Sequence, residues 1–224
     1  MKNNFLQRWK YSIQNKEFIK SLIITFSFLI ISLIINFIAG TYATKEASLP
    51  VTDIVLSNIP VFDVDGIFIY GTLIFWILSA LIFIYNPQKI LFSLKAVALF
   101  VIIRSIFVSL THLGPFPSQI IIENIGFFNK IIFGGDLFFS GHTGLPFLLA
   151  LIFWQEKKLR YFFITSSVIF GTIVLMGHLH YSIDVLGAFF ITYTIFHIAE
   201  IIFKKDRLLF HSESQNIITT IKLN

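Results

Sequence analysis

Six apolar runs occupy most of this 224-residue chain, at roughly 18–40, 67–85, 90–110, 137–154, 161–176 and 183–203. About 20 mostly apolar residues are needed to cross a hydrocarbon layer, so these runs restrict the chain to a membrane fold before any motif is considered. Composition agrees. Hydrophobic residues make up 56% and charged residues 13%, and the mean hydropathy is +0.82, which leaves too little polar material to cover a soluble globule. No run alternates apolar and polar residues as a lipid-facing barrel strand does. Helices satisfy their own backbone groups in lipid. The predicted fold class is therefore an all-α membrane protein, a six-transmembrane-helix bundle over 18–203, flanked by an interfacial segment 1–17 and a polar tail 204–224.

Charge predicts the orientation of that bundle. Of the 17 Lys and Arg, only Lys45 and Lys130 fall in one set of alternate connections, beside Glu46, Asp53, Asp63, Asp65, Glu123 and Asp136, and Arg104 lies inside a run. The remaining basic residues cluster in the N-terminal segment, around Lys89 and Lys95, at Lys157, Lys158 and Arg160, and in the tail. The positive-inside rule then places both termini in the cytoplasm. It also accounts for the formal charge of +5 without a nucleic acid partner, for which no binding module is present. The first run is too long, and its N-terminal flank too extended, for a secretory signal, despite the small residues of Ala39-Gly40-Thr41-Tyr42-Ala43; an uncleaved first helix is expected. The chain has no cysteine, which excludes disulfides and thiolate chemistry.

Two polar stretches interrupt the apolar sequence: Gly134-Gly135-Asp136-Leu137-Phe138-Phe139-Ser140-Gly141-His142-Thr143 and His180-Tyr181-Ser182-Ile183-Asp184-Val185. Polar groups at such depth are costly unless paired or used. On the expected topology Arg104 nears the outer end of its helix, while His142, His180 and Asp184 open helices from that same side, so all four converge on the exoplasmic edge. His180 and Asp184 are spaced i, i+4, which on a helix brings carboxylate and imidazole together and leaves the other ring nitrogen for nucleophilic or general base work. His142, from another helix, is placed to supply a proton. Ser140, Thr143 and the amides around Gly141 would sit near a helix N-terminus, which favours phosphate.

These residues resemble the core of the type 2 phosphatidic acid phosphatase superfamily, and the longer strings are similar to its sphingomyelin synthase branch. That branch has a Gly-Asp-x-x-x-Ser-Gly-His-Thr motif, matched by residues 135–143, and a His-Tyr-Thr/Ser-x-Asp-Val motif, matched by 180–185. Weaker likenesses lie upstream. Arg104 with Thr111, Pro115 and Pro117 is similar to an Arg-to-Thr-Leu-Pro element, and Leu49-Pro50 with Asp53 resembles a Leu-Pro-Asp loop. The resemblance implies transfer of a phosphocholine, phosphoethanolamine or phosphoinositol headgroup from a glycerophospholipid to a lipid hydroxyl such as that of ceramide, releasing diacylglycerol through a phosphohistidine. It implies His142, His180 and Asp184 as catalytic residues, and Arg104, Asp136, Ser140, Gly141, Thr143 and Tyr181 as phosphate- or substrate-binding residues. No metal or other cofactor is implied. The partners are membrane lipids, and the oligomeric state stays open between monomer and homo-oligomer.

Departures from the pattern sharpen the reading. Gly134 stands where the family usually has Cys, and Gly114 where its first proline is expected. Superfamily phosphatases carry a Lys-x6-Arg-Pro element and a Ser-Arg pair before the second His; here Val97 precedes Arg104 by seven, Ser105 follows it, and Ile173-Val174 occupy the Ser-Arg position. A phosphodiester carries one negative charge and a monoester up to two, so fewer cations suit a diester donor. A lipid phosphate phosphatase and a non-catalytic membrane scaffold or transporter are the alternatives. His112, His178 and His197 lie outside the motifs and are expected to pack without a role, Asp136 could cap the following helix, and Asp53, Asp63 and Asp65 are expected in a solvated outer loop.

Overall fold

The computed structural model describes residues 5–120 and 137–210. Seven helices order along them: α1 (Phe5–Gln14), α2 (Lys16–Lys45), α3 (Asp65–Tyr85), α4 (Pro87–Leu110), α5 (Gly141–Ile152), α6 (Lys157–Met176) and α7 (Ser182–Ile202). No strand occurs among the described residues. Asn15 separates α1 from α2 and accepts the Glu17 and Phe18 amides, capping the longer helix. Pro87 sits at the first turn of α4, where its missing N–H is not needed.

On α2, Phe18, Thr25, Ser32 and Ala39 recur every seventh residue and are all buried. Small side chains on one stripe let helices approach closely in lipid, and α2 makes its contact with α4 along most of its length. The helix runs unbroken through Ala39-Gly40-Thr41-Tyr42-Ala43 to Lys45. α4 is the most enclosed of the long helices, flanked by α2 on one side and by α5 and α7 on the other, and α5 also packs on α6. The interior is aromatic, with Phe92, Phe100, Phe139, Phe153 and Phe163 fully buried.

Five helices, α2, α3, α4, α6 and α7, have the length and apolar composition to cross a membrane, against six runs in the sequence. The difference lies in the fourth run, expected over 137–154. Its helix covers only the 12 residues Gly141–Ile152, or about 18 Å at 1.5 Å per residue, well short of a hydrocarbon core of about 30 Å. Residues 137–140 are not helical; Leu137, Phe139 and Ser140 are buried, and the Ser140 amide bonds the Asp184 carbonyl in the first turn of α7. A Cβ on Gly144 would lie 2.8 Å from Thr192 Oγ1 and 2.7 Å from the Phe100 ring, so glycine is needed there for α5 to pass between α4 and α7.

The described residues gather at two ends. At one, Arg8 Nη1 donates to Asn86 Oδ1 (2.6 Å) and Trp9 Nε1 to the Ile84 carbonyl (2.8 Å). The same end holds the Lys89–Glu156 and Lys95–Asp206 ion pairs, 2.6 Å each, and an Arg207 bond to the Ile152 carbonyl. Both described termini are therefore at this end. At the other end, loop 46–64 crosses the connection after α4. Ser48 bonds the His112 carbonyl through both its amide and its hydroxyl. A Cβ on Gly114 would meet the Ser48 carbonyl oxygen at 2.1 Å, so glycine at this position is what permits the crossing.

Candidate active site

Beneath that crossing, three helices bring their polar groups together. α4 supplies Arg104, whose Nε donates to the Phe139 carbonyl at 2.7 Å and whose side chain passes over Gly141, 3.4 Å from the place a Cβ would take. α5 supplies His142, whose ring lies 4.4 Å from that of Phe68 on α3, centroid to centroid. Arg104, Gly141 and His142 share a cavity of ≈ 140 Å³, closed otherwise by Thr72, Phe75, Trp76, Leu145, Pro146 and Phe170. Pro146 has no N–H to return to the His142 carbonyl, so the first turn of α5 is held from outside itself. The Ser140 amide donates to the Asp184 carbonyl, which ties the entrance of α5 to α7.

His180 Nδ1 lies 3.4 Å from Asp184 Oδ2, with the histidine 7% exposed and the aspartate fully buried. The expected i, i+4 pairing is present, but not on a helical face. α7 begins at Ser182 with Tyr181 as its cap, and Asp184 turns back to accept the Tyr181 amide at 2.9 Å. This is the carboxylate half of a capping box, and it carries the carboxylate to the residue before the cap. His180 is fixed from behind as well, because its amide and that of Leu179 both reach the Val174 carbonyl. Asp184 Oδ1 has no hydrogen-bond partner among the described residues.

The remaining expected site residues divide. Ser140 caps α5 by accepting the Thr143 amide, and the Thr143 hydroxyl bonds the Ser140 hydroxyl; both side chains are fully buried and stand behind the cavity wall. The Thr143 carbonyl accepts from Ser167 on α6. Tyr181 reaches the other way, donating its hydroxyl to the Gly114 carbonyl at 2.8 Å and accepting the Val51 amide at 3.2 Å, so it fastens both outer loops above His180. Asp136, with Gly134 and Gly135, lies outside the described residues.

Two aspartates were misread from sequence. Asp65, expected in a solvated loop, opens α3 and is half-buried. Asp53, expected in the same loop, is 7% exposed. Its Oδ1 accepts the Val55 and Leu56 amides, and its Oδ2 accepts the amide and hydroxyl of Ser182 at 2.7 and 2.8 Å. An anion is thus seated on the first turn of α7, where the helix dipole favours it. Burial pulls its carboxyl pKa upward, and the hydrogen bonds from Leu56, Ser182 and Val55 together overcome this and hold it below the ordinary value of 3.8. Asp63 is exposed, as expected. Of the other histidines, His178 Nδ1 is 2.6 Å from Ser118 Oγ, His112 packs on Tyr42, and His197 pairs with Glu200 on the surface.

The second motif, the first motif and the helices between them fall in one stretch that can be compared with known families. Residues 134–201 match the family described as PAP2 superfamily C-terminal. The match supports the type 2 phosphatidic acid phosphatase superfamily, whose members are phosphatases or phosphotransferases acting on lipids. It includes His142, His180 and Asp184 and stops short of Arg104 and Asp53. No curated protein and no solved structure matches the chain.

Proposed function

We propose that this chain is a membrane phosphotransferase that moves a phosphoalcohol headgroup from a glycerophospholipid to a lipid hydroxyl, as the sphingomyelin synthase branch does. The observation that carries the reading is the His180–Asp184 pair, with its second ring nitrogen left for chemistry, tied through the Ser140–Asp184 bond to the entrance of α5, where His142 and Arg104 share a cavity. His180 Nε2 attacks phosphorus as the bond from phosphorus to the diacylglycerol oxygen breaks, and His142 delivers a proton to that oxygen. The acceptor hydroxyl then attacks the phosphohistidine, giving its proton to His142 as the P–N bond breaks and His180 is restored. Asp184 holds the imidazole tautomer and stabilises the cation that forms. Arg104 and the first amides of α5 receive the phosphate oxygens.

In this reading the bundle crosses the membrane six times, with α5 the short crossing, and both termini face the cytoplasm. The site then opens on the exoplasmic side. Leu49 is exposed on the site end and Lys158 opens α6 at the basic end. A cysteine at position 49 should react with an impermeant thiol reagent in intact cells and one at 158 should not; the reverse would put the site in the cytoplasm.

Two features favour transfer from a diester over hydrolysis of a monoester. Ile173 and Val174, at the phosphatase Ser-Arg position, are buried in the apolar core. Among the described residues lining the cavity, Arg104 is the one arginine or lysine. The test is to supply purified protein in mixed micelles with headgroup-labelled phospholipid, with and without ceramide or diacylglycerol. Expected is a new phosphodiester lipid whose formation depends on acceptor and retains configuration at phosphorus. Rapid phosphate release from phosphatidic acid with no such product would replace this reading with a phosphatase, and no turnover of either donor would leave a scaffold or transporter.

A further inference from the structure

The cavity at His142 holds one polar side chain that the chemistry above does not use. Thr72 lies on α3, one helical turn inward of Phe68, whose ring meets His142. Hydroxyls inside membrane helices usually bond the carbonyl one turn back, and Thr25, Thr41, Thr172 and Thr194 all do so here. Thr72 does not. Its Oγ1 is buried and has no partner among the described residues, although the side chain lines the cavity with Arg104, Gly141 and His142. Ser79, Ser93 and Thr192 share this condition, but none of the three lines the cavity.

The rest of the wall beside Thr72 is aromatic and aliphatic, formed by Phe75, Trp76, Leu145 and Phe170. A buried hydroxyl without a partner costs about 1–3 kcal/mol, a cost that a ligand with a matching group removes. The cavity of ≈ 140 Å³ accommodates the few atoms next to a phosphate, not whole acyl chains. α3 touches α4 and α6 only sparsely, which leaves a lateral way out for chains between the helices.

Given the proposed lipid phosphate site, we infer that Thr72 is a lipid-recognition residue: its hydroxyl donates to the first acyl carbonyl of a phospholipid whose phosphate sits at Arg104 and His142. Arg104, His142 and Thr72 line one cavity with apolar side chains completing its wall, as phosphate, ester carbonyl and acyl chain follow one another in a phospholipid. Thr72 stands one helical turn, about 5.4 Å, beyond Phe68, whose ring meets His142.

The test reads binding as well as turnover. Full-length protein in phosphatidylethanolamine–phosphatidylcholine vesicles is labelled with a diacyl phosphatidylcholine carrying a diazirine in one chain, and unlabelled diester and dialkyl ether phosphatidylcholines compete. In wild type, label should reach the α3 segment around Trp76, with the diester competing about fivefold better than the ether, the effect of one hydrogen bond near 1 kcal/mol. Thr72→Val should erase that preference while keeping the label, and Thr72→Ser should restore it. Turnover should follow through KM with kcat little changed. Label spread evenly over the lipid-facing helices, or an ester preference that survives Thr72→Val, overturns the inference. The transferase reading fails separately, if wild type labels at α3 with an ester preference yet turns over no phospholipid donor.

Discussion

The two ends of the bundle handle buried charge in opposite ways. At the basic end, charge meets charge: Lys95 is held by Asp206, which also accepts from Ser21, and Lys89 is held by Glu156 under the rings of Phe153 and Phe210. At the site end, the anions are held largely by backbone amides. Asp53 takes the amides of Val55, Leu56 and Ser182 and the Ser182 hydroxyl, and Asp184 takes the Tyr181 amide beside His180. A side-chain ion pair is saturated and structural. A carboxylate braced by main-chain amides is fixed in place without a lysine or arginine partner among the described residues.

The comparison can be broken most directly at His180. His180→Ala should lower turnover about 10⁴-fold or more with helix content and unfolding temperature unchanged, as read by circular dichroism and a lipid product assay; a substantially active variant removes the covalent mechanism. Asp184→Asn, which keeps the size of the group that orients His180, should cost on the order of 100-fold with substrate binding retained. At the opposite end the pattern should invert. Lys95→Met leaves Asp206 buried without its cation, and each side chain of that pair is only 10% exposed, so a loss of about 3–5 kcal/mol in stability is expected with kcat per folded molecule unaltered. Measuring both in the same detergent decides it, and a large fall in kcat at constant stability would erase the distinction between the ends.

The smallest effect is expected at Asp53. A carboxyl whose folded pKa is depressed stabilises the fold above its unfolded pKa and loses that contribution as pH falls through the folded value. For Asp53, held below 3.8, the loss begins as pH drops under about 4 and is complete below the folded pKa. Protection of the Ser182 and Leu56 amides from hydrogen exchange should fall over that range in wild type. Asp53→Asn should lower activity only a few-fold and remove the acid dependence; unchanged amide protection through the acid range would mean that the loop is held by Tyr181 alone.

How much of this was legible in sequence depended on distance along the chain. His142, His180, Asp184 and Arg104 stood out because ionisable groups in apolar runs are rare. The start of α5 was legible too. Ser140 is a strong helix cap, and reading it so would have moved the predicted start from 137 to 141 and shortened the span. The capping box of Asp184 required only the spacing to Tyr181. Asp53 gave no such signal: its partner Ser182 lies 129 residues away, and a loop aspartate is ordinarily wet. Thr72 was silent for the same reason, being one hydroxyl on an apolar helix whose meaning comes from what α5 places opposite it.

The enclosed start of α5 has a consequence for selectivity. Leu137, Phe139 and Ser140 are buried where Gly141 and His142 open their helix, so a headgroup that reaches them must shed water on the way. Each polar atom that finds no replacement partner in the slot raises the barrier to entry. Discrimination among headgroups, and between a lipid alcohol and water as acceptor, then becomes a matter of dehydration set by enclosure.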